Sequence, residues 1–279
     1  MIITRFNQLI QDFHRLAAGD VFIGQVPASP LKSAILADLT ARGVKVLPGA
    51  TAQLINASKA AQAFVLLPWM VPHTRVICRR KELLDVLGDY ARLGINATVT
   101  KADRLHCGHG VCKWDSLDTL YGCVSMGQDI YPFVLQPFVE EFTDVRVIMV
   151  GEYCEAYSRL NPHGFRMNLA AGGQSRVYQL APDQYQFCLK MMERSHMPYA
   201  HLDLIVTPDQ KCYVSEIRLN GGIHGARVTR PALDKMKQKQ LLTLARQSVA
   251  VKPQDHMAQN GTQELPGDKP LAAFGTQEA

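Results

Sequence analysis

The sequence lacks the short motifs that mark several large enzyme classes. It contains no P-loop, no GxGxxG dinucleotide fingerprint and no GxSxG nucleophile elbow. P-loop nucleotidases, Rossmann dehydrogenases and α/β-hydrolases are therefore disfavoured. Hydrolases whose Ser/His/Asp or Cys/His residues are dispersed along the chain carry no such motif, so that class stays open.

Cysteine and long apolar runs are also scarce. The seven cysteines are an odd number and form no CxxC pair, which is typical of reduced thiols in a cytoplasmic protein. The longest apolar run, Ala60 to Val71, is broken by a glutamine and a proline, so it is too short to span a bilayer. Met1 to Phe13 is too polar for a signal peptide. These features predict a cytoplasmic protein with no membrane partner.

Composition and charge indicate the number of domains and the kind of binding partner. The chain has 279 residues, of which 47% are hydrophobic and 20% charged, so it can bury the cores of about two domains. The formal net charge is +5, and the basic residues do not form dense runs. This balance suits anionic small molecules such as nucleotides and disfavours nucleic acid as a partner.

Residues 1–55 read as a small α/β domain. Val21 to Gly24 and Val44 to Leu47 are predicted strands, and Leu31 to Arg42 is a predicted helix that Gly43 ends. Residues 56–250 read as a larger mixed domain, and residues 251–279 as a disordered tail. The elements predicted in the larger domain are helices over 59–67, 81–93, 182–195 and 231–249, and strands over 95–100, 131–139, 145–150 and 153–159.

A hairpin within Ala200 to Gly225 supplies the first chemical signal. If the turn pivots between Asp209 and Gln210, then Asp203 lies directly across from Glu216, with Cβ atoms roughly 5 Å apart. Two carboxylates at that distance favour a divalent cation between them, and Mg²⁺ commonly uses one or two protein carboxylates with substrate phosphates. The alternative is a surface hairpin whose acids are splayed, or one in which Glu216 pairs with Arg218.

The order of motifs from Ser58 to Gly225 resembles the ATP-grasp superfamily, and within it the ribosomal-protein glutamate ligases and related carboxylate–amine ligases. The segments that carry the resemblance are VLQPFVEEFTDVRVIMVGEY, SRLNPHGFRMNLAAGG, HLDLIV and VSEIRLNGGIHG. The resemblance implies an α+β fold with two lobes, residues 56–135 and 136–250, that clasp ATP. It also implies ATP with Mg²⁺ or Mn²⁺ as cofactors, and a carboxylate and an amine, such as the amino acid glutamate, joined through an acyl phosphate.

The resemblance also implies roles for individual residues. Lysines and loop glycines would contact the phosphates, hinge residues would hold adenine, and an acid would bind the ribose. The residues matched to nucleotide binding are Lys59, Lys101, Gly108, Gly110, Gln136, Pro137, Phe138, Val139, Glu141, Asp144 and Asn168, with Glu140 as a further ribose candidate. The arginines matched to catalysis are Arg146 and Arg166, with Arg159 at a comparable position. The residues matched to metal binding are Asp203 and Glu216.

One position departs from the family. The usual ending is Glu-x-Asn, but Glu216 is followed by Ile217 and Arg218, and a guanidinium cannot ligate a cation. Asn220 could supply the missing oxygen on the same strand face. Alternatively, Arg218 substitutes for the charge of one metal or binds the acyl phosphate, or one of the two usual metal sites is lost.

Several other interpretations stay open at this point. His106, Cys107, His109 and Cys112 could bind zinc, although zinc ligands usually come from two separated segments. His201 and His224 flank the hairpin as satisfied polar residues or, for His224, as a base. The chain could also be a nucleotide-binding module with weak ligation that acts in regulation or assembly, or a kinase. The small N-terminal domain would suit a large substrate or a homodimer.

Overall fold

The computed structural model describes residues 1–105, 109–125, 130–161 and 173–250. The strands are β1 (Ile2–Ile3), β2 (Val21–Ile23), β3 (Lys45–Leu47), β4 (Arg75–Ile77), β5 (Thr98–Ala102), β6 (Val111–Trp114), β7 (Phe133–Pro137), β8 (Thr143–Val150), β9 (Tyr153–Leu160), β10 (Gln174–Val177), β11 (Tyr199–Val206) and β12 (Cys212–Arg218). The helices are α1 (Phe6–Gln11), α2 (Lys32–Ala41), α3 (Ala50–Ala57), α4 (Lys59–Leu66), α5 (Arg80–Arg92), α6 (Leu117–Ser125), α7 (Pro182–Arg194) and α8 (Arg230–Ala250). The predicted tail lies outside these residues.

The N-terminal part is built on a parallel three-stranded sheet in the order β1-β2-β3. Strand β2 pairs with β3 so that Val21 is opposite Lys45, and α2 makes the connection between them. This arrangement confirms the predicted β–α–β unit, and α2 ends just before Gly43 as expected. The sequence pattern does not predict the short strand β1 or the helix α1, because two residues and six residues carry too little periodicity to be recognised.

The second sheet has four strands in the order β4-β7-β5-β6. Helices α5 and α6 contribute Leu83, Tyr90 and Leu120 to the core beside this sheet. Helix α4 contacts β4 and β7. It begins at Lys59 as predicted, where the side-chain oxygen of Ser58 accepts a hydrogen bond from the Ala61 amide at 3.0 Å.

The third sheet has five antiparallel strands in the order β10-β9-β8-β11-β12. Because side chains alternate along a strand, its two faces differ in chemistry. One face is apolar, and its residues Val147 and Leu202 share a core with Cys188 of α7. We call the other the charged face, and its charged and histidine members on β8, β9, β11 and β12 are Asp144, Arg146, Glu155, Arg159, His201, Asp203, Glu216 and Arg218.

The hairpin of β11 and β12 confirms one prediction and corrects another. Asp203 is opposite Glu216, as predicted. The predicted pivot is wrong, because the loop has a third residue: the Thr207 amide donates to the Lys211 carbonyl at 3.0 Å, and Gln210 inside the loop has a positive φ of 63°. A β-bulge beside Asp203 then shifts the register by one residue, which brings the two acids together again.

Helix α8 connects the N-terminal sheet to the five-stranded sheet, since it contacts β2, β3 and β8. The apolar spacing of this helix predicts an inward-facing side, on which Leu233, Leu241 and Ala245 are buried and Met236 and Leu244 are half-buried. Lys237 is buried beside them, which the apolar pattern does not indicate. Within the described ranges, none of the helices has the length and apolar character needed to cross a membrane.

Candidate active site

Lys101 joins the two antiparallel sheets at the junction of β5 with β12, which we call the cleft. It lies on β5, and its Nζ donates to the side-chain oxygen of Ser215 on β12 at 3.0 Å and to the Ser215 carbonyl at 3.3 Å. Burial lowers the pKa of the Lys101 ammonium to about 8, and the neighbouring Glu216 carboxylate partly offsets that effect. The predicted phosphate-contacting lysine therefore lies beside the predicted metal-binding acid.

Arg146 and Arg159 enclose the carboxylate of Asp203. The Nε and Nη2 atoms of Arg146 donate to the two Asp203 oxygens, each at 2.7 Å, and Arg159 Nη2 lies 3.1 Å from Asp203 Oδ2. Arg159 also donates to both oxygens of Asp144 at 2.9 Å. Burial opposes ionisation of Asp203, but the two guanidinium groups outweigh it and hold the pKa of that carboxyl well below its usual range.

This network holds the guanidinium of Arg146 in a fixed orientation. A third donor of Arg146, Nη1, bonds the Gly222 carbonyl at 3.0 Å in the loop that follows β12. Three of its five N–H groups are thus engaged within the described part of the chain, which leaves donors for a substrate oxygen. Arg159 is only 8% exposed and is bonded to Asp144 and Asp203, so its role is to hold these two carboxylates in place.

Glu216 and Arg218 lie together on the charged face. They are two residues apart on β12, and Arg218 Nε is 3.4 Å from Glu216 Oε1. The alternative that paired these two residues therefore occurs in the structure. At this distance the contact is long for a charge-assisted hydrogen bond, so Glu216 is held less tightly than Asp203.

Asn220 is predicted to bind a metal ion, but its side-chain oxygen bonds a lysine in the structure. Its Oδ1 accepts a hydrogen bond from Lys237 Nζ at 2.9 Å, and the same ammonium bonds the Leu219 carbonyl at 2.9 Å and lies 3.1 Å from His201 Nε2. Burial lowers the pKa of Lys237 to about 8, and burial together with Lys237 lowers the pKa of His201 to about 3. His201 is therefore a neutral, buried partner of Lys237, whereas His224 is exposed.

The predicted adenine-binding segment lies at the end of the four-stranded sheet. Gln136 is buried on β7 and Pro137 ends that strand. The Phe138 amide donates to the Ala97 carbonyl at 2.9 Å, and Lys113 Nζ lies 4.5 Å from the centre of the Phe138 ring. Val139, the last predicted residue here, is half-buried. The segment leads from β7 of one sheet to β8 of the other, as a hinge would.

The predicted phosphate loop is described only in part. Gly110 has a positive φ of 71°, and a Cβ there would lie 2.7 Å from the side chains of Ala102 and Leu105, so only glycine fits. Lys59 Nζ donates to the Leu105 carbonyl, which places this lysine beside the same loop. Gly108, Arg166 and Asn168 lie outside the described residues, as do His106 and Cys107 of the zinc alternative.

The ribose candidates separate by exposure. Glu140 and Glu141 are exposed, whereas Asp144 is buried under Arg159. Exposure therefore favours Glu140 or Glu141 as the residue that binds the ribose. Asp144 is instead the bonding partner of Arg159. Among the described residues, no group of three or more His, Cys, Asp or Glu side chains is arranged to hold a metal ion.

The sequence patterns do not reveal the contacts made by Ser215, Lys113 and Lys237. Alternation along β12 predicts that Ser215 points away from the face that carries Glu216, and its contact with Lys101 occurs at the β-bulge, which the sequence pattern does not predict. Lys237 lies four residues after Leu233, which places it on the buried side of α8. A lysine at such an inward-facing position is the signal that points to a buried polar partner.

The junction of the two antiparallel sheets brings Lys101 beside a face that carries Arg146, Arg159 and Arg218, and such a concentration of cationic side chains suits an anionic ligand. Residues 56–252 match the RimK-like ATP-grasp domain family, and the chain belongs to this family. It is therefore an ATP-dependent ligase of the carboxylate–amine class, with the predicted α+β ATP-grasp fold.

Solved structures support the same fold at low sequence identity. The D-alanine-D-alanine ligase from Coxiella burnetii is similar over 86% of this chain and 74% of its own, with a TM-score of 0.59 and 14% identity. The D-cycloserine synthetase DcsG is similar over 85% and 86%, with a TM-score of 0.58 and 16% identity. The ATP-grasp ligase PsnB, complexed with minimal precursor, Mg and ADP, is similar over 79% and 77%, with a TM-score of 0.55 and 15% identity. No curated protein sequence gave a significant match.

Proposed function

We propose that the enzyme activates a carboxylate as an acyl phosphate and passes the acyl group to an amine. The observation that carries this proposal is the placement of Arg146, which Asp203 and the Gly222 carbonyl hold with donors left for a substrate oxygen. A rigid guanidinium is suited to a phosphoryl group in transfer, because its planar donors match the oxygens geometrically.

The proposed reaction has two steps. A carboxylate oxygen attacks the γ-phosphorus of ATP, the bond from that phosphorus to the β–γ bridging oxygen breaks, and ADP leaves. The amine nitrogen then attacks the acyl carbon, inorganic phosphate leaves, and the nitrogen loses a proton. The side chains would act by positioning and by neutralising charge, with Lys101 on the nucleotide phosphates and Arg146 on the transferred group.

A divalent cation fits this site when it arrives with the nucleotide. Glu216 would hold it, since its side chain is 21% exposed and its contact to Arg218 is long. Mg²⁺ commonly accepts one or two protein carboxylates and completes its shell with phosphate oxygens and water. Bound there, the cation would neutralise phosphate charge.

An amino acid is the proposed amine substrate, and glutamate is the first to test because the chain resembles the ribosomal-protein glutamate ligases. The full chain would be incubated with ATP, Mg²⁺, glutamate and a cell extract as the carboxylate source. We expect ADP and phosphate to appear together with a condensed product detected by mass. ADP with a stable phosphorylated product would instead indicate a kinase, and nucleotide binding without turnover would contradict the proposal.

The pKa of Lys101 predicts how nucleotide binding depends on pH. Phosphate oxygens favour the charged lysine, so its pKa in the complex rises above the value of about 8 in the free protein. Affinity is then greatest below pH 8 and falls by up to about tenfold per pH unit above it, with proton uptake on binding. Calorimetry in two buffers of different ionisation enthalpy measures both quantities.

Matched lysine variants provide the control for this pH dependence. Lys101→Met should weaken nucleotide binding and abolish the proton uptake assigned to this residue. Lys81→Met should leave both unchanged, because Lys81 is exposed on α5 and pairs only with Asp85 among the contacts described. An unchanged pH profile in Lys101→Met would remove Lys101 from the phosphate site.

A further inference from the structure

Two of the three carboxylates at the centre of the charged face are already bonded to arginines. Both oxygens of Asp144 accept hydrogen bonds from Arg159 at 2.9 Å. Both oxygens of Asp203 accept from Arg146 at 2.7 Å, and Oδ2 has the additional contact with Arg159 at 3.1 Å. A carboxylate offers about four lone-pair sites, so Asp203 keeps little capacity for a cation.

The neutral oxygens near the cleft are engaged in the same way. Asn220 Oδ1 lies 2.9 Å from Lys237 Nζ, and the side-chain oxygen of Ser215 lies 3.0 Å from Lys101 Nζ. Lys237 is only 5% exposed and contacts three acceptors, so it holds Asn220 in place. Asn220 is thus not oriented as a replacement for the missing asparagine of the family.

In the sequence, Arg218 stands two residues after Glu216, where the Glu-x-Asn pattern of the resemblance has its asparagine. It lies on the same face of β12 as Glu216, with its Nε 3.4 Å from Glu216 Oε1. Its guanidinium brings positive charge to the place where an asparagine oxygen would ligate a cation. Positive charge is also in excess among the described side chains of the cleft, where Lys59, Lys101, Arg146, Arg159 and Arg218 surround Asp144, Asp203 and Glu216.

We infer that the Arg218 guanidinium takes the place of a second divalent cation, so that the enzyme binds its nucleotide with one cation held by Glu216. This inference rests on the proposed function, because it assumes that the nucleotide phosphates reach the charged face. The positive charge of the guanidinium would lie beside the phosphates, and it also keeps a second cation away by charge repulsion.

The test counts bound Mn²⁺ in the presence of a non-hydrolysable ATP analogue. Equilibrium dialysis measures bound nucleotide, and electron paramagnetic resonance of free Mn²⁺ gives the number of bound ions. We expect one Mn²⁺ per bound nucleotide in the wild type and two in Arg218→Asn, which supplies an oxygen donor and removes the repulsion. Arg176→Asn, at an exposed position of β10, should retain one.

A second variant separates loss of charge from gain of a ligand. Arg218→Met removes the guanidinium without adding a donor, so we expect one Mn²⁺ and about tenfold weaker nucleotide binding. Two Mn²⁺ ions in the wild type, or one in a folded Arg218→Asn that binds nucleotide, would overturn the inference. Failure of the wild type to retain any nucleotide would instead count against the proposed function.

Discussion

Replacing Asp203 by asparagine is expected to lower turnover at least about 10²-fold and to destabilise the protein by about 3 kcal/mol. The amide carries no charge, and it can accept hydrogen bonds through only one of its two terminal atoms. Arg146 therefore loses one of the two bonds that orient it, and two buried guanidinium groups lose a shared counter-charge. ADP release with both substrates and chemical denaturation measure the two effects.

Asp209→Asn is the matched control, because Asp209 lies in the exposed turn of the same hairpin and pairs with Lys211. Its effect on stability should be about 1 kcal/mol or less, with turnover unchanged. A folded Asp203→Asn variant with nearly wild-type turnover would show that the network does not orient Arg146 for catalysis.

The hairpin shows how far local sequence rules reach. The turn residues give the correct opposition of Asp203 and Glu216, but only because two omissions cancel. The same arithmetic misses the three-residue loop and the bulge, which offset each other in register. A bulge depends on how β12 fits its neighbours, and that information is not contained in the turn residues.

The roles of the charged residues are harder to predict than their positions. Arg159 is directly opposite Asp144 on the neighbouring strand, so this contact follows from a local hairpin. Its contact with Asp203 joins residues far apart in the sequence. Residue type alone does not decide whether this arginine binds phosphate or supports other side chains. Lys237 shows the same limit, because its three acceptors come from β11 and from the loop after β12.

Arg159→Met should destabilise the protein more than any other single change considered above, by about 3–5 kcal/mol. Arg159 is 8% exposed, and its removal leaves the Asp144 carboxylate buried without its bidentate partner. Arg176→Met is the control, since Arg176 is exposed on the edge strand β10, and its effect should be within about 0.5 kcal/mol. Denaturant unfolding monitored by circular dichroism measures both.

The pH dependence of the stability lost in Arg159→Met, called the deficit below, tests whether that loss is electrostatic. Burial already raises the pKa of Asp144 in the wild type, and loss of the guanidinium would raise it further. The folded variant then binds a proton that the unfolded chain does not, so its stability falls as pH rises from the unfolded pKa of about 4 toward the raised folded pKa. The deficit relative to the wild type should therefore shrink on acidification. A deficit that stays constant down to about pH 4 would point to lost packing of the arginine side chain rather than to an uncompensated buried charge.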